Sequence, residues 1–443
     1  MSDSMIFEAE PGGSLHGAVR VPGDKSISHR AIMLSSIAEG VTHVSGFLEA
    51  EDSLATLNAF RAMGIRVDGP EAGEVHIHGV GLHGLRAPDQ PLDLGNSGTS
   101  MRLLSGLLAG QSFASTLTGD RSLTRRPMTR VTKPLRQMGA DIHTSEQGTA
   151  PLKIKGAERL SGIDYTLPVA SAQVKSCLLL AGLYAEGETC ITEPAPTRDH
   201  TERMLEGFSY SVRRTGRRVC VVGDGVLKAT EIDVPGDISS AAFFLVGASI
   251  AAHSDLTLKH AGINPTRTGI IDILRLMGAN IEVFNERVAG GEPVADLRVR
   301  SAPLKGIRIP EELVPLAIDE FPALFIAAAC ADGETVLTGA AELRVKESDR
   351  IQAMADGLTA LGVDASPKPD GLVIQGREGF AGGGVDSHGD HRIAMAFSIA
   401  ALRADSPIMV SDCDNVNTSF PGFVDLANGC GLSIQCRTEG VIQ

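Results

Sequence analysis

The chain has 443 residues, a formal net charge of −14, three tyrosines and no tryptophan. That length allows two to three domains with large cores, while the acidity and the lack of stacking aromatics exclude a general nucleic-acid surface. Seven cysteines, without CxxC spacing, read as reduced thiols rather than a disulfide set or a zinc site. The longest apolar run, 241–252, is shorter than the ~18 residues a bilayer span needs. The lead MSDSMIFEAEPGG has acids where a secretory signal has lysines, so a cytosolic chain is expected.

In chain order, VPGDKSISHR at Val21–Arg30 introduces the first apolar run, and the frame returns as VPGDISSAAF at Val234–Phe243. Six apolar helices are expected, starting near Ser26, Thr99, Ala172, Ser239, Phe321 and His391. Each is followed by a turn and a β-rich run, and being nearly all apolar it must be buried. A second signature, a helix end running into a strand, recurs as FRAMGIRV, LRQMGADI, LRLMGANI and LTALGVDA, with weaker copies LEGFSYSV and NGCGLSI. Its central slot falls at Gly64, Gly139, Ser209, Gly278, Gly362 and Gly431. Glycine suits the residue after a helix, where positive φ costs least. Six units of roughly seventy residues result, each helix–strand–helix–strand–strand. The two VPGD copies lie three units apart, which divides the α/β chain into two three-unit domains. One domain takes residues 23–235; the other joins 1–22 to 236–443, with the site expected in a cleft between them.

Uncommon polar residues gather at the starts of the apolar helices. The first unit gives Lys25, Ser26 and Arg30; the second Asn96, Thr99 and Arg102; the third Ser171, Gln173 and Lys175. The fifth gives Asp319 and Glu320, and the sixth Asp390, His391 and Arg392. Helix N-termini attract anions, and a lone Ser or Asp there is an ordinary cap. Cations at such ends oppose the dipole, so Lys25 and Arg30 imply an anionic ligand. TRRPMTR places Arg125 and Arg126 before Pro127, which suits a helix start. AELRVKESDRI reads equally as a binding loop or as a solvated helix face. GVGLHG matches GxGxxG but is followed by Arg86-Ala87-Pro88 where a helix should begin, and HGDH reads as a turn with a helix cap rather than a metal pair.

Together PGDKSISHR, LGNSGTSMRLLSGLLAG, SAQVKSCLLLAG, IDEFPALFIAAA, LRVKESDRI and GDHRIAMAF resemble the 3-phosphoshikimate 1-carboxyvinyltransferase (5-enolpyruvylshikimate-3-phosphate synthase) family nearly end to end. SAQVKS and TRDHTE are similar to its second class. The resemblance implies a two-domain inside-out α/β barrel fold and transfer of the enolpyruvyl group of phosphoenolpyruvate to shikimate 3-phosphate, in aromatic amino-acid synthesis. It also implies no cofactor, no metal and a cytoplasmic monomer. Residue by residue, it implies shikimate 3-phosphate binding by Lys25, Ser26, Arg30, Ser171, Ala172, Gln173, Arg198, Asp319 and Lys346. Phosphoenolpyruvate would meet Lys25, Asn96, Gly98, Arg126, Gln173, Arg350 and Arg392. Asp319 would take the proton of the attacking hydroxyl, Glu347 would protonate the methylene carbon, and Lys25 would touch both substrates. Thr418 stands where many first-class members carry a lysine, and Leu103 replaces a common proline, while Gly98 is kept where some relatives have an alanine that crowds the inhibitor glyphosate.

Three other readings are weaker. The UDP-N-acetylglucosamine 1-carboxyvinyltransferase family shares the fold but usually carries a Cys (sometimes Asp) general acid on a loop of the second unit, and Gln111–Arg126 has no Cys. RNA 3′-phosphate cyclase fits poorly with an acidic chain free of tryptophan. A non-catalytic repeat scaffold leaves the set Lys25, Asp319 and Glu347 without a purpose.

Overall fold

The computed structural model describes residues 4–156 and 159–438. Its chain divides into two compact units. The inserted unit comprises Gly23–Pro235 and the short segment Val288–Glu292; the terminal unit holds the chain up to Pro22, Gly236–Arg287 and everything from Pro293 on.

Six helix pairs run through the chain. In the inserted unit they are α1 (Lys25–Ser36) with α2 (Glu51–Ala62), α3 (Gly98–Ala109) with α4 (Thr129–Gln137), and α5 (Ala172–Gly182) with α6 (His200–Gly207). The terminal unit has α7 (Ile238–Ile250) with α8 (Gly269–Leu276), α9 (Phe321–Ala329) with α10 (Arg350–Ala360), and α11 (His391–Ala400) with α12 (Phe423–Cys430). The first helix of each pair is the buried one: all of α7 and all of α9 are inaccessible. That follows from sequences apolar around the whole helix rather than along one stripe. α3 and α5 pack so closely that a Cβ on Gly106 would lie 2.0 Å from the Cys177 carbonyl oxygen. After each second helix the slot residue has positive φ, including Ser209 at 63°, the one position without glycine.

The sheets repeat one pattern. A lead strand runs parallel to the first strand of the unit, which is antiparallel to the third, with the second outermost. Leu92–Asp93, Ser115–Thr118, Leu152–Lys155 and Asp141–His143 show it in spatial order. The two VPGD crossings are where lead strands change places. His16–Val19, just before α1, pairs with Asp255–Gly262 in the terminal unit. Glu231–Asp233, just before α7, pairs with Glu39–Ser45 in the inserted unit. The conserved frame within the chain thus serves as strand, crossing and cap. Asp24 accepts from the Ile27 amide and Asp237 from the Ser239 amide, both at 2.9 Å. In the sixth unit the second strand, Ile434–Thr438, is outermost, and the third-strand place is taken by Met5–Ala9.

One expectation is overturned. Cys190 and Cys220 are joined in a disulfide, not reduced. They sit directly opposite one another on antiparallel strands, a pairing made by strand register that spacing does not announce. The other five cysteines are free. No helix among the described residues is long and apolar enough to cross a membrane.

Candidate active site

In the inserted unit the starts of α1, α3 and α5 are tied together by polar side chains. His29, buried on α1, meets Thr56 of α2 at 2.8 Å, and Thr56 meets Ser100 of α3 at 2.5 Å. Burial, then Lys25 and Arg30, hold His29 well below its ordinary pKa, which keeps a third cation out of this corner. Between α3 and α5, Gln173 accepts from Arg102 at 2.8 Å and donates to Thr99 at 3.0 Å. Ser171 caps α5, and Ala172 is its first residue.

The predicted cations of this unit have different partners. Lys25 forms an ion pair with Asp52 at the start of α2. The chain therefore supplies a carboxylate to Lys25, where the sequence reading looked only to a ligand. Asp52 resembles any first-turn acid, so nothing in the sequence singles it out. Arg30 is buried and donates only to neutral oxygens: Thr201 Oγ1 at 2.6 Å, and the Ser26 carbonyl and Ser176 Oγ at 2.8 Å. Burial pulls its pKa down to about 10; Glu202 and Asp24 work against that fall, and Arg198 adds to it. Arg126 is held by Asn96, through the amide oxygen at 2.6 Å and the carbonyl at 3.3 Å. Arg125, its neighbour, is exposed, and α4 starts two residues after Pro127. Gly98 lies beneath two guanidiniums: a Cβ there would be 2.9 Å from Arg102 Nη1 and 3.2 Å from Arg126 Nη1.

The terminal unit gathers Asp319, Lys346, Glu347, Arg350 and Arg392 into one network, while Glu320 lies apart and accepts from the Ser239 hydroxyl. Arg350, at 1% exposure, donates to Asp390 at 2.7 Å, to Glu347 at 2.6 Å and to Asp319 at 3.5 Å. Lys346 Nζ lies 3.2 Å from the same Asp319 oxygen. Arg392 donates to the Asp319 carbonyl at 3.2 Å. Burial works against the Arg350 charge, but Asp390, Glu347 and Asp319 outweigh it and raise its pKa. The stretch AELRVKESDRI is therefore no solvated helix face. It is a 3₁₀ turn at Ala341–Val345 and a short loop leading into α10. Arg344 leaves the network, binding Asp349 at 2.7 Å and the Pro369 carbonyl at 2.8 Å. Asp390 caps α11 by accepting from the Arg392 amide at 2.9 Å, so HGDH is a turn and cap as expected. Thr418 is buried, its hydroxyl donating to the Asn415 carbonyl at 2.6 Å.

One unit thus offers Arg30 and Arg126 on neutral acceptors and Lys25 on Asp52; the other offers carboxylates fixed by cations. The family model for EPSP synthase (3-phosphoshikimate 1-carboxyvinyltransferase) matches residues 9–426. This chain belongs to that family. A 3-phosphoshikimate 1-carboxyvinyltransferase of Methylococcus capsulatus is 72% identical over 431 residues, 97% of this chain and 98% of the relative. One from Alkalilimnicola ehrlichii is 71% identical over 97% of this chain and 96% of its own length. Among solved structures, EPSP synthase of Acinetobacter baumannii matches with a TM-score of 0.89 at 60% identity, covering 98% of this chain and all (100%) of that one. The enolpyruvyl transferase NikO of Streptomyces tendae shares the fold at 16% identity, with a TM-score of 0.79 over 98% of this chain and 99% of that one. The fold is the two-domain inside-out α/β barrel of enolpyruvyl transferases.

Proposed function

We propose that the chain transfers the enolpyruvyl group of phosphoenolpyruvate to the 5-hydroxyl of shikimate 3-phosphate and releases phosphate, with the residues named above in the roles that follow. The observation that carries the assignment of roles is the terminal network. Asp319, just before α9, and Glu347, just before α10, are two carboxylates held on one guanidinium, that of Arg350.

Glu347 gives a proton to the methylene carbon of phosphoenolpyruvate, leaving positive charge at C2. The 5-hydroxyl attacks C2 while Asp319 takes its proton, and a tetrahedral adduct forms. In the second half the bond from C2 to the phosphate oxygen breaks, and the departing phosphate takes the proton that Asp319 holds. The methyl carbon returns its proton to Glu347, which restores the double bond. An acid and a base acting on different partners is what both halves require. Lys25, Ser26, Arg30, Ser171, Ala172, Gln173, Arg198 and Lys346 hold shikimate 3-phosphate. Lys25, Asn96, Gly98, Arg126, Gln173, Arg350 and Arg392 surround phosphoenolpyruvate. Arginine suits fixed, bidentate grips on phosphate and carboxylate, and a lysine shared by both substrates serves as a point charge. Under this reading the enzyme works as a cytoplasmic monomer.

The test is phosphate release from phosphoenolpyruvate, with shikimate 3-phosphate or UDP-N-acetylglucosamine as acceptor. Release that requires shikimate 3-phosphate supports the reading. Release with the sugar nucleotide alone would move the acceptor and keep the fold.

A further inference from the structure

Lys175 has no part in the roles above, yet it is a lysine at 1% exposure in a mostly apolar helix. It stands four residues after the cap of α5, where a cation opposes the helix dipole. Its Nζ lies 2.9 Å from Glu193 and 2.7 Å from Glu202. Glu193 follows the strand Glu188–Thr192, and Glu202 is in the first turn of α6. The loop between them carries Arg198. One ammonium therefore pins both ends of that loop to the helix whose start presents Ser171, Ala172 and Gln173. Thr197 adds a bond from within the loop to Glu193. The neighbours of the two pinned helices, Ser176 and Thr201, are the hydroxyls that hold Arg30.

Resting on the function proposed above, we infer that Lys175 is a positioning residue for the phosphate of shikimate 3-phosphate. It binds Glu193 and Glu202 so that neither carboxylate turns to Arg30 or Arg198, and it fixes the Arg198 loop against α5. The electrostatics agree. Glu202 and Arg198 both act on Arg30 across this cluster, with opposite signs. A carboxylate released from Lys175 would find those guanidiniums next, and they would lose donors that the substrate phosphate needs.

The experiment is steady-state kinetics on Lys175→Met and on the charge-free triple variant Lys175→Met/Glu193→Gln/Glu202→Gln. The triple variant removes the two carboxylates that Lys175→Met alone would leave without their cation, and so protects the fold. Lys175→Met should raise the KM for shikimate 3-phosphate about tenfold or more, with the KM for phosphoenolpyruvate within about twofold. The triple variant should fall between it and the wild type, because no carboxylate remains to occupy the guanidiniums. Adding Arg198→Ala to Lys175→Met should cost less than the two single effects combined. An unchanged KM for shikimate 3-phosphate in either folded variant, an equal rise in both KM values, or full additivity with Arg198→Ala would overturn the inference. Wild-type release that needs shikimate 3-phosphate is the control. Its absence would defeat the functional reading, while a normal wild type with indifferent variants would defeat only the role of Lys175.

Discussion

Arg30 and Arg350 are both buried arginines near helix starts, and their surroundings push them in opposite directions. Arg30 has three neutral oxygens around its guanidinium and is pulled down to about 10, burial being the main cause. Arg350 meets the same penalty of burial, yet three carboxylates raise it. The difference bears on the roles proposed above. A desolvated cation bonded to neutral partners has more to gain from an anion such as the phosphate of shikimate 3-phosphate. A cation that already holds three carboxylates gains less, so beside phosphoenolpyruvate the larger part proposed for Arg350 is to hold Asp319 and Glu347 in place.

The largest effect should come from removing the base. Asp319→Ala is expected to lower kcat by about 10²–10⁴-fold, the usual worth of a positioned proton acceptor. The phosphate-release assay reads it directly, and near-normal turnover would strip Asp319 of its role. Next comes the comparison itself. Arg350→Met leaves Asp390 buried without its cation and should destabilise the protein by about 3–5 kcal/mol. Arg30→Met loses bonds to neutral oxygens and relieves a desolvated charge, so about 1 kcal/mol is expected. Denaturant unfolding of both variants checks the order, and equal losses would erase the contrast. Saturating shikimate 3-phosphate at about a hundred times its Kd should stabilise the wild type by about 2.7 kcal/mol. Most of that gain should vanish in Arg30→Met. A smaller effect is expected at Gly98. An alanine there presses on the ends of Arg102 and Arg126, which can shift, so stability should hold. The KM for phosphoenolpyruvate should rise about threefold to tenfold as the guanidiniums move.

Much of this was legible in the sequence because the repeat leaves two marks in every unit. The apolar helices and the positive-φ slots lie where the pattern placed them, even at Ser209. Site residues on helix starts were legible for a related reason: Lys25, Arg30, Asp319 and Arg392 break an apolar pattern. What the sequence hid is made by tertiary register. Asp52 is an unremarked first-turn acid until α2 brings it to Lys25. Cys190 and Cys220 meet only because two strands pair in one register. The exchange of lead strands at the VPGD crossings is likewise invisible, since neither strand pairs with the unit that follows it in the chain.

The smallest effect concerns Glu193, a buried partner of Lys175. Burial pushes its carboxyl above the usual range, with Lys175 and the Thr197 hydroxyl pulling the other way. A carboxyl whose pKa is higher folded than unfolded binds its proton more tightly in the native state. Its contribution to stability therefore grows as pH falls through the folded pKa, and is complete below the unfolded value. Glu193→Gln cannot titrate and must lose that gain. Relative to wild type, the variant should be favoured most near pH 7, with the difference in melting temperature shrinking toward pH 4.5. A difference that stays constant over this range would mean that Lys175 cancels burial at Glu193, and one that turns against the variant toward pH 7 would mean that Lys175 outweighs it. The buried cluster would then resemble the Arg350 network rather than the surroundings of Arg30.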